Sequence, residues 1–237
     1  MSAPPLPPPR VPGRSRGPSQ PVSTDHAFPP PGVGVVVFDV VGTLVEPCPS
    51  VARAYSDTGR AHGIEIDEEA IRVAFRAAWQ RQEAIDAAAT PAHATDRRRE
   101  RERWQGIVAD VFGPVAALPA IFADLWDHFA DPRAWRPVGR GVDLVAAARG
   151  AGLEIALASN FDERLLAIAP AVAPLDAARQ VFASSELGWR KPAPEFFRAV
   201  ERRLGRRPEE LILVGDDPRL DLAAARRAGW HARLIDG

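Results

Sequence analysis

The fold of this chain is decided by one stretch, Val35-Val36-Val37-Phe38-Asp39-Val40-Val41-Gly42-Thr43-Leu44. Its first four residues are all apolar, which predicts a strand buried on both faces of a parallel sheet. Asp39 follows at the carboxyl end of that strand, where open α/β sheets bind their ligands. Gly42 permits a tight turn, and Thr43 offers a hydroxyl group to an anion. The stretch therefore predicts an α/β fold with a site at Asp39.

Apolar runs alternate with helical patterns over the second half of the chain. Strands are predicted at 34–39, 153–158, 180–183, 211–215 and 230–235. Helices are predicted at 139–151, 162–169, 193–204 and 219–228. This alternation predicts a Rossmann-like core, a parallel sheet with helices on both faces.

More than a hundred residues with few strand signals separate the first two predicted strands. Apolar residues recur there at helical spacing, as in Ile71, Phe75, Trp79; Trp104, Ile107, Val108, Val111; and Leu118, Ile121, Phe122, Leu125. Such stripes predict amphipathic helices that pack together. We predict a helical cap inserted at 48–136 and an α/β core at 33–47 and 137–237. Residues 1–32 are Pro-rich and bury too little apolar surface to fold, so we predict a disordered tail.

Composition restricts the class of protein. The net charge is -1, so no overall field attracts nucleic acid or an anionic membrane. The chain has no apolar run of the ~20 residues that a membrane span requires, and its tail lacks the apolar segment of a secretory signal. The tail is interpreted as either an inert segment or a polyproline II ligand for a partner. The single cysteine, Cys48, is interpreted as a structural thiol in a reducing compartment. We therefore expect a cytoplasmic monomer or homodimer without a nucleic-acid or membrane partner.

Small polar residues follow the strand predicted at 153–158. Ser159 and the N–H groups after it suit a phosphoryl oxygen, with Asn160 alongside. Alternatively, Ser159 or Asn160 caps the next helix. Asp162 is interpreted as a charge at a helix N-terminus.

Asp39, after the first predicted strand, is interpreted as a nucleophile, a metal ligand or both, with the cap of a turn as the alternative.

Lys191, in Gly188-Trp189-Arg190-Lys191-Pro192, is the only lysine among 30 Lys and Arg residues. A surface lysine would be ordinary, but this chain uses Arg everywhere else. That usage favours a site in which the Lys191 ammonium offsets gathered negative charge. Arg190 has no such argument and is interpreted as a surface residue.

Acidic residues follow the strand predicted at 211–215, namely Asp216, Asp217 and Asp221. Carboxylates this close repel one another without a cation, and Mg²⁺ prefers oxygen ligands. The alternative is a set of acids at a helix N-terminus. The charged run Arg97-Arg98-Arg99-Glu100-Arg101-Glu102-Arg103 predicts a solvated helix face with i,i+4 ion pairs.

The order and spacing of Asp39, Ser159, Lys191 and Asp216 resemble the four motifs of the haloacid dehalogenase superfamily. The resemblance covers about residues 33–237. The inserted helices resemble the C1 cap of subfamily IA, and the sequences around the first three motifs look closest to the REG-2-like group.

This resemblance implies an Mg²⁺-dependent phosphohydrolase acting on a small phosphorylated metabolite. It implies that Asp39 attacks phosphorus and that Ser159 and Lys191 are catalytic and bind the transferring group, together with Thr43 and Asn160. Mg²⁺ would be held by Asp39, the backbone carbonyl of Val41 and Asp216, with Asp217 and Asp221 nearby.

Val41 departs from the phosphatase pattern, which has a second Asp at this position. Valine keeps the backbone carbonyl but cannot transfer a proton, a contribution worth ~10²–10⁴ in rate. An alkyl phosphate would lose this factor, whereas an acyl phosphate, an anhydride or an aryl phosphate would lose less. Two alternatives stay open: a phosphate-binding protein with little turnover, and a 2-haloacid dehalogenase. A phosphonoacetaldehyde hydrolase is disfavoured because the predicted cap has no lysine for a Schiff base.

Overall fold

The computed structural model of the protein describes residues 28–235. Its strands, in chain order, are β1 (Val35–Phe38), β2 (Val45–Pro47), β3 (Trp135–Pro137), β4 (Glu154–Ser159), β5 (Gln180–Ala183), β6 (Leu211–Gly215) and β7 (His231–Leu234). Its α-helices are α1 (Val51–Ala61), α2 (Glu68–Ala88), α3 (Arg97–Phe112), α4 (Leu118–His128), α5 (Gly139–Gly150), α6 (Arg164–Ile168), α7 (Ser184–Leu187), α8 (Pro194–Leu204) and α9 (Ala224–Arg227). A π-helical turn, Pro218–Ala223, leads directly into α9.

The central sheet is parallel and has five strands in the order β5-β4-β1-β6-β7. β1 occupies the middle, and all four of its residues are fully buried. Val36 and Phe38 pack into one apolar cluster, while Val35 and Val37 pack into another on the opposite face. The alternation of side chains along a strand produces this division.

Helices cover both faces of the sheet. On one face, Val145 of α5 and Leu165 of α6 join the cluster that contains Phe38. On the other, Phe197 of α8 and Ala225 of α9 join the cluster that contains Val35. The predicted α/β class, with a Rossmann-like parallel sheet, is confirmed by this arrangement.

Helices α1 to α4 pack around an apolar cluster of their own, which includes Tyr55, Ile71, Val108, Ile121 and Leu125. All four lie within 48–136, the segment predicted to be the cap, and the antiparallel pair β2 and β3 flanks them in the chain. We call α1 to α4 the cap and the parallel sheet with its covering helices the core.

The predicted tail lies mostly outside the described residues, since the structure describes only 28–32 of it. Within that short part, Phe28 packs against the core cluster and lies 5.1 Å from the guanidinium carbon of Arg233. Phe28 therefore packs against the core, although it lies within the segment predicted to be a tail. Over residues 28–235, the protein has no helix with both the length and the apolar character that a membrane span requires.

Candidate functional site

The carboxyl ends of three adjacent strands bring the predicted site together. Asp39 directly follows the central strand β1, Ser159 ends β4, and Asp216 directly follows β6. Because β4 and β6 pair with β1 on its two sides, these residues meet at one edge of the sheet. The Asp39 amide donates to the carbonyl oxygen of Val214 on β6 at 2.9 Å, which fixes the backbone at this point.

Lys191 joins two of the predicted acids. Its Nζ donates to Asp39 Oδ1 at 2.7 Å and to Asp221 Oδ1 at 2.6 Å, and the residue is 2% exposed. Ser159 Oγ donates to the same Asp39 oxygen at 3.0 Å. A lysine buried at this depth is stable only with such partners.

Carboxylate oxygens of Asp39, Asp216 and Asp221 lie within 4.8 Å of one another. Gly42 makes this approach possible, because its φ is +86° and an added Cβ would collide with the Asp216 carboxylate. Gly215 plays the same part for Asp221, whose carboxylate occupies the space that a Cβ would need. The two glycines therefore let the carboxylates pack directly against the backbone.

Burial and crowding change the proton affinity of this cluster. Burial raises the pKa of Asp39 to about 6, and the charges of Asp221 and Asp216 add to the rise while Lys191 opposes it. Burial and the charge of Asp221 also raise the pKa of Asp216. Burial by itself would lower the pKa of Lys191, but the carboxylates of Asp39 and Asp221 outweigh it and raise that pKa. Lys191 is therefore charged throughout the neutral range.

Two predicted substrate-binding residues have different neighbours from those expected. Thr43 is fully buried, and its hydroxyl lies 3.4 Å from Asp39 Oδ2 and 3.2 Å from Asp216 Oδ1, so it bridges two carboxylates and does not line the cavity. Asn160 lines the cavity, but its side chain bonds the backbone of Lys191, accepting from the amide at 2.7 Å and donating to the carbonyl at 2.9 Å. Both side chains position the charged groups of the site.

Asp217 also differs from the prediction. Its Oδ1 accepts from the backbone amides of Arg219 and Leu220, both at 2.7 Å, so it caps the π-helical turn. Asp217 lies at the cavity, but it is not part of the three-carboxylate cluster. Among Asp216, Asp217 and Asp221, it is therefore Asp217 that fits the alternative interpretation of an acid at a helix N-terminus.

Arg190 was interpreted as a surface residue, and the structure corrects this. It is 2% exposed, and its Nη1 donates to both oxygens of Glu100 on α3, at 2.5 and 2.7 Å. Glu100 is 1% exposed and also accepts from Thr95 at 2.9 Å and from Ser184 at 3.3 Å. This buried ion pair joins the cap to the residue beside Lys191.

The charged run of α3 is correspondingly only partly solvated. Arg103 is 1% exposed and pairs with Asp86, and with Glu83 at 2.7 Å. Only Arg98 and Glu102, at 2.5 Å, form the exposed i,i+4 pair that was predicted for this face. The apolar stripe of α3 could have predicted this burial, because Glu100 and Arg103 lie four residues before Trp104 and Ile107 on the same side of the helix.

Asp162 anchors a second contact between core and cap. Its carboxylate is fully buried and accepts from Arg164 Nε at 2.7 Å and Nη2 at 2.6 Å. The Arg164 guanidinium lies 3.7 Å from the centre of the Trp126 ring, and its Nη1 donates to the Trp126 carbonyl at 3.1 Å. Asp162 thus lies at the start of a helix, as predicted, and it also holds the Arg164 side chain that contacts α4.

A cavity of about 620 Å³ opens above Asp39, between the core and the cap. Asp39, Ser159, Lys191, Asp216 and Asp221 lie on its floor, and Val41 faces it with 37% of its surface exposed. Half-buried aromatic residues form much of the wall; these are Phe75, Trp79, Trp104, Phe129, Trp135 and Phe161. We call these six residues the aromatic wall. The volume of the cavity is typical of sites that bind small molecules.

A family model described as haloacid dehalogenase-like hydrolase matches residues 33–229. The chain is 28% identical over 210 residues to haloacid dehalogenase-like hydrolase domain-containing protein 3 of Homo sapiens, covering 86% of this chain and 82% of that protein. It is 26% identical over 223 residues to a phosphoserine phosphatase of Thermus thermophilus, covering 85% of this chain and 88% of that protein.

Among solved structures, the protein resembles the defluorinating L-2-haloacid dehalogenase Rha0230 with a TM-score of 0.69. The identity is 22%, and the match covers 85% of this chain and 82% of that one. This likeness concerns the fold. Taken with the match over 33–229, it means that the chain belongs to the haloacid dehalogenase-like hydrolase family, in its REG-2-like group.

Proposed function

We propose that this hydrolase is an Mg²⁺-dependent phosphohydrolase of a small phosphorylated metabolite, with Asp39 as its nucleophile. The observation that carries the proposal is the convergence of one ammonium group, Lys191, on two carboxylates beside a third at the floor of an open cavity. The similarity to a phosphoserine phosphatase supports phosphate ester chemistry.

The three carboxylates fit a hard divalent cation. Asp39, Asp216 and Asp221 offer only oxygen donors within 4.8 Å of one another, as Mg²⁺ prefers. One ammonium group faces these three carboxylates, which leaves an excess of two negative charges before any phosphate enters. Asp39 and Asp216, with the Val41 carbonyl, would hold the ion. When bound there, Mg²⁺ supplies charge neutralisation for the transferring phosphoryl group.

The side chains of the floor divide the remaining work. Lys191 and Ser159 hold one oxygen of Asp39 in place. Lys191 keeps a third N–H for a phosphoryl oxygen, and the Ser159 hydroxyl can turn from Asp39 to another phosphoryl oxygen. Asp39 attacks phosphorus, the bond from phosphorus to the leaving oxygen breaks, and its electron pair goes to that oxygen. Water then attacks the aspartyl phosphate, and the electron pair of the broken P–O bond returns to Asp39 as orthophosphate leaves.

Val41 determines which leaving groups this site accepts. Its side chain faces the cavity at the position where the family's phosphatases have an acid, and it has no proton to give. The leaving oxygen must therefore depart as an anion or take its proton from water. Substrates with stable leaving anions are favoured over alkyl phosphates.

Val41 is also the observation that favours a second candidate, a phosphate-binding protein with little turnover. Such a protein would gain thermal stability from phosphate and Mg²⁺ and would release no product. The dehalogenase alternative is supported only by fold. Three clustered carboxylates oppose it, because a cation held by them occupies space needed for displacement of a halide.

The test is phosphate release from acetyl phosphate and propyl phosphate, measured side by side with Mg²⁺. We expect turnover of acetyl phosphate that disappears in EDTA and in Asp39→Asn. Asp143→Asn, on the exposed side of α5, is the matched control and retains activity. Phosphate release that survives in EDTA, or in Asp39→Asn, would contradict the mechanism. No release from either compound would favour the binding protein.

A further inference from the structure

The wall of the cavity differs in chemistry from its floor. The carboxylates that line the cavity are Asp39, Asp216 and Asp221 of the floor and the neighbouring Asp217. Above them, the lining consists mainly of the aromatic wall and of aliphatic residues such as Ile71 and Leu220, with polar side chains at the exposed Arg72, Arg76 and Gln80 and at the buried Arg164. A flat apolar group would lose its water shell against the apolar part of this lining.

The aromatic wall presents rings that already pack in pairs. Phe75 and Trp79 of α2 are stacked, with ring centres 6.2 Å apart and planes at 22°. Trp104 of α3 follows, 5.9 Å from Trp79. Across the lining, Trp135 lies 5.6 Å from Phe161. Each ring is half-buried, so one part of it contacts protein and another part faces the cavity. Rings held in this way favour stacking or edge contacts with another ring.

Val41 independently favours a substrate with an aromatic leaving group. With Val41 in place of an acid, the leaving oxygen departs without a proton from the protein. A phenol has a pKa of about 10, as the tyrosine side chain does. Water, which an aliphatic alcohol resembles, has a pKa of about 15.7. A phenolate is therefore the more stable leaving anion of the two.

We propose that the substrate is an aryl phosphate monoester whose ring binds against the aromatic wall while its phosphoryl group meets Asp39. This inference rests on the proposed phosphohydrolase function and narrows it. Asp39 forms a bond to phosphorus, the P–O(aryl) bond breaks, and its electron pair leaves with the phenolate, which then takes a proton from water. Water hydrolyses the aspartyl phosphate as described above. Acetyl phosphate meets the leaving-group requirement but has no ring for the wall.

The experiment compares 1-naphthyl phosphate with acetyl phosphate in the full chain with Mg²⁺. Trp79→Leu removes one ring of the wall and touches no residue of the floor. We expect it to lower kcat/KM for 1-naphthyl phosphate about tenfold, mainly through KM, and to leave acetyl phosphate unchanged. Trp79→Phe keeps a ring and should restore most of the loss. Val73→Ala, on the exposed side of α2, is the matched control.

The outcomes separate this inference from the function on which it rests. Equal effects of Trp79→Leu on both compounds, or no effect on either, would overturn the aryl assignment while acetyl phosphate turnover upheld the phosphohydrolase. No phosphate from any compound would overturn both. If Trp79→Leu does not fold, as judged by its melting temperature, Phe75→Leu gives the same comparison. A selective loss for the aryl compound, reversed by Trp79→Phe, supports the inference.

Discussion

The two oxygens of Asp39 have different surroundings. Oδ1 accepts from Lys191 and Ser159, while Oδ2 faces the Thr43 hydroxyl. These contacts fix the carboxylate by groups from three separate parts of the chain, so its orientation does not depend on a substrate. Fixed orientation of a nucleophile removes part of the entropy cost of reaction.

At Val41, the chain lacks a proton donor that a single substitution supplies. Val41→Asp places a carboxyl group on a cavity-facing, 37% exposed position. We expect propyl phosphate turnover to rise by ~10²–10⁴, because the leaving alkoxide then receives a proton. Phosphate release with propyl and 1-naphthyl phosphate measures this, and the aryl compound should change less. No rise in a folded variant would mean that the cavity itself excludes alkyl phosphates.

A substitution at Gly42 tests whether the carboxylate cluster binds Mg²⁺, because it displaces a carboxylate without changing the charge of the site. In Gly42→Ala the added methyl group collides with the Asp216 carboxylate, and the φ of +86° is strained as well. We expect Mg²⁺ binding about tenfold weaker or worse by titration calorimetry, since Asp216 must move. Gly63→Ala is the matched control, because its φ is +74° but nothing lies within 4 Å of an added Cβ.

Both variants should lose ~1–2 kcal/mol of stability from backbone strain. Only Gly42→Ala should also lose affinity for Mg²⁺. Equal Mg²⁺ affinity in the two variants would contradict the assignment of Asp216 as a ligand.

Among the elements, α3 has a second function besides packing. Its apolar stripe joins the cap cluster through Val108, and its first turns carry Glu100 toward the core. Backbone contacts reinforce this junction, since Arg190 N donates to the His93 carbonyl at 2.9 Å and Thr95 N to that of Gly188 at 3.0 Å. The loop before α3 thus holds the segment that carries Lys191.

Removal of Glu100 therefore has a large expected cost. Glu100→Gln leaves Arg190 buried without its main counter-charge, and we expect a loss of about 3–5 kcal/mol in the free energy of unfolding. Glu102→Gln on the same helix removes only the exposed pair with Arg98 and should cost less than about 1 kcal/mol. Denaturant titration of both variants measures the difference, and similar losses would contradict the burial of Glu100.

The same pair gives the stability a pH dependence. Burial opposes the charge of Glu100, but Arg190 outweighs it and lowers the pKa below the ordinary value of 4.5. A lowered folded-state pKa means that the stabilisation is full above about pH 4.5 and is lost as pH falls through the folded-state pKa. The stability difference between wild type and Glu100→Gln should thus shrink in acid. A constant difference from pH 6 to pH 3 would contradict this.

Over the whole molecule, several contacts join core and cap beside the cavity, among them those of Arg190, Arg164 and Arg97. Arg190 binds Glu100 on one side, and Arg164 stacks on Trp126 on the other. Between these contacts the surfaces stay apart, and the floor of carboxylates faces the aromatic wall. The division into a polar floor from the core and an apolar wall mainly from the cap and its flanking strand follows from this arrangement.

The amino-acid pattern predicted the five strands of the parallel sheet, most of the helices that cover it, and four motif residues, of which Asp39, Ser159 and Asp216 lie at strand ends while Lys191 follows α7. These features depend on local patterns, such as the run Val35–Phe38, and on the rule that parallel strands end at one edge. The unusual single lysine also identified Lys191 correctly as a partner of carboxylates. Local periodicity therefore accounts for the core of the fold, whereas the four site residues were grouped through their resemblance to known motifs.

The contacts between polar groups, and the choice of groups that face the cavity, depend instead on the packing of distant segments. Arg190 and Glu100 read as surface charges in sequence because their ion pair joins residues 90 positions apart. Thr43 and Asn160 bond neighbours of the site instead of lining it with free groups. Such contacts depend on how cap and core pack against each other, and side chains from distant segments are placed by packing that no local pattern encodes.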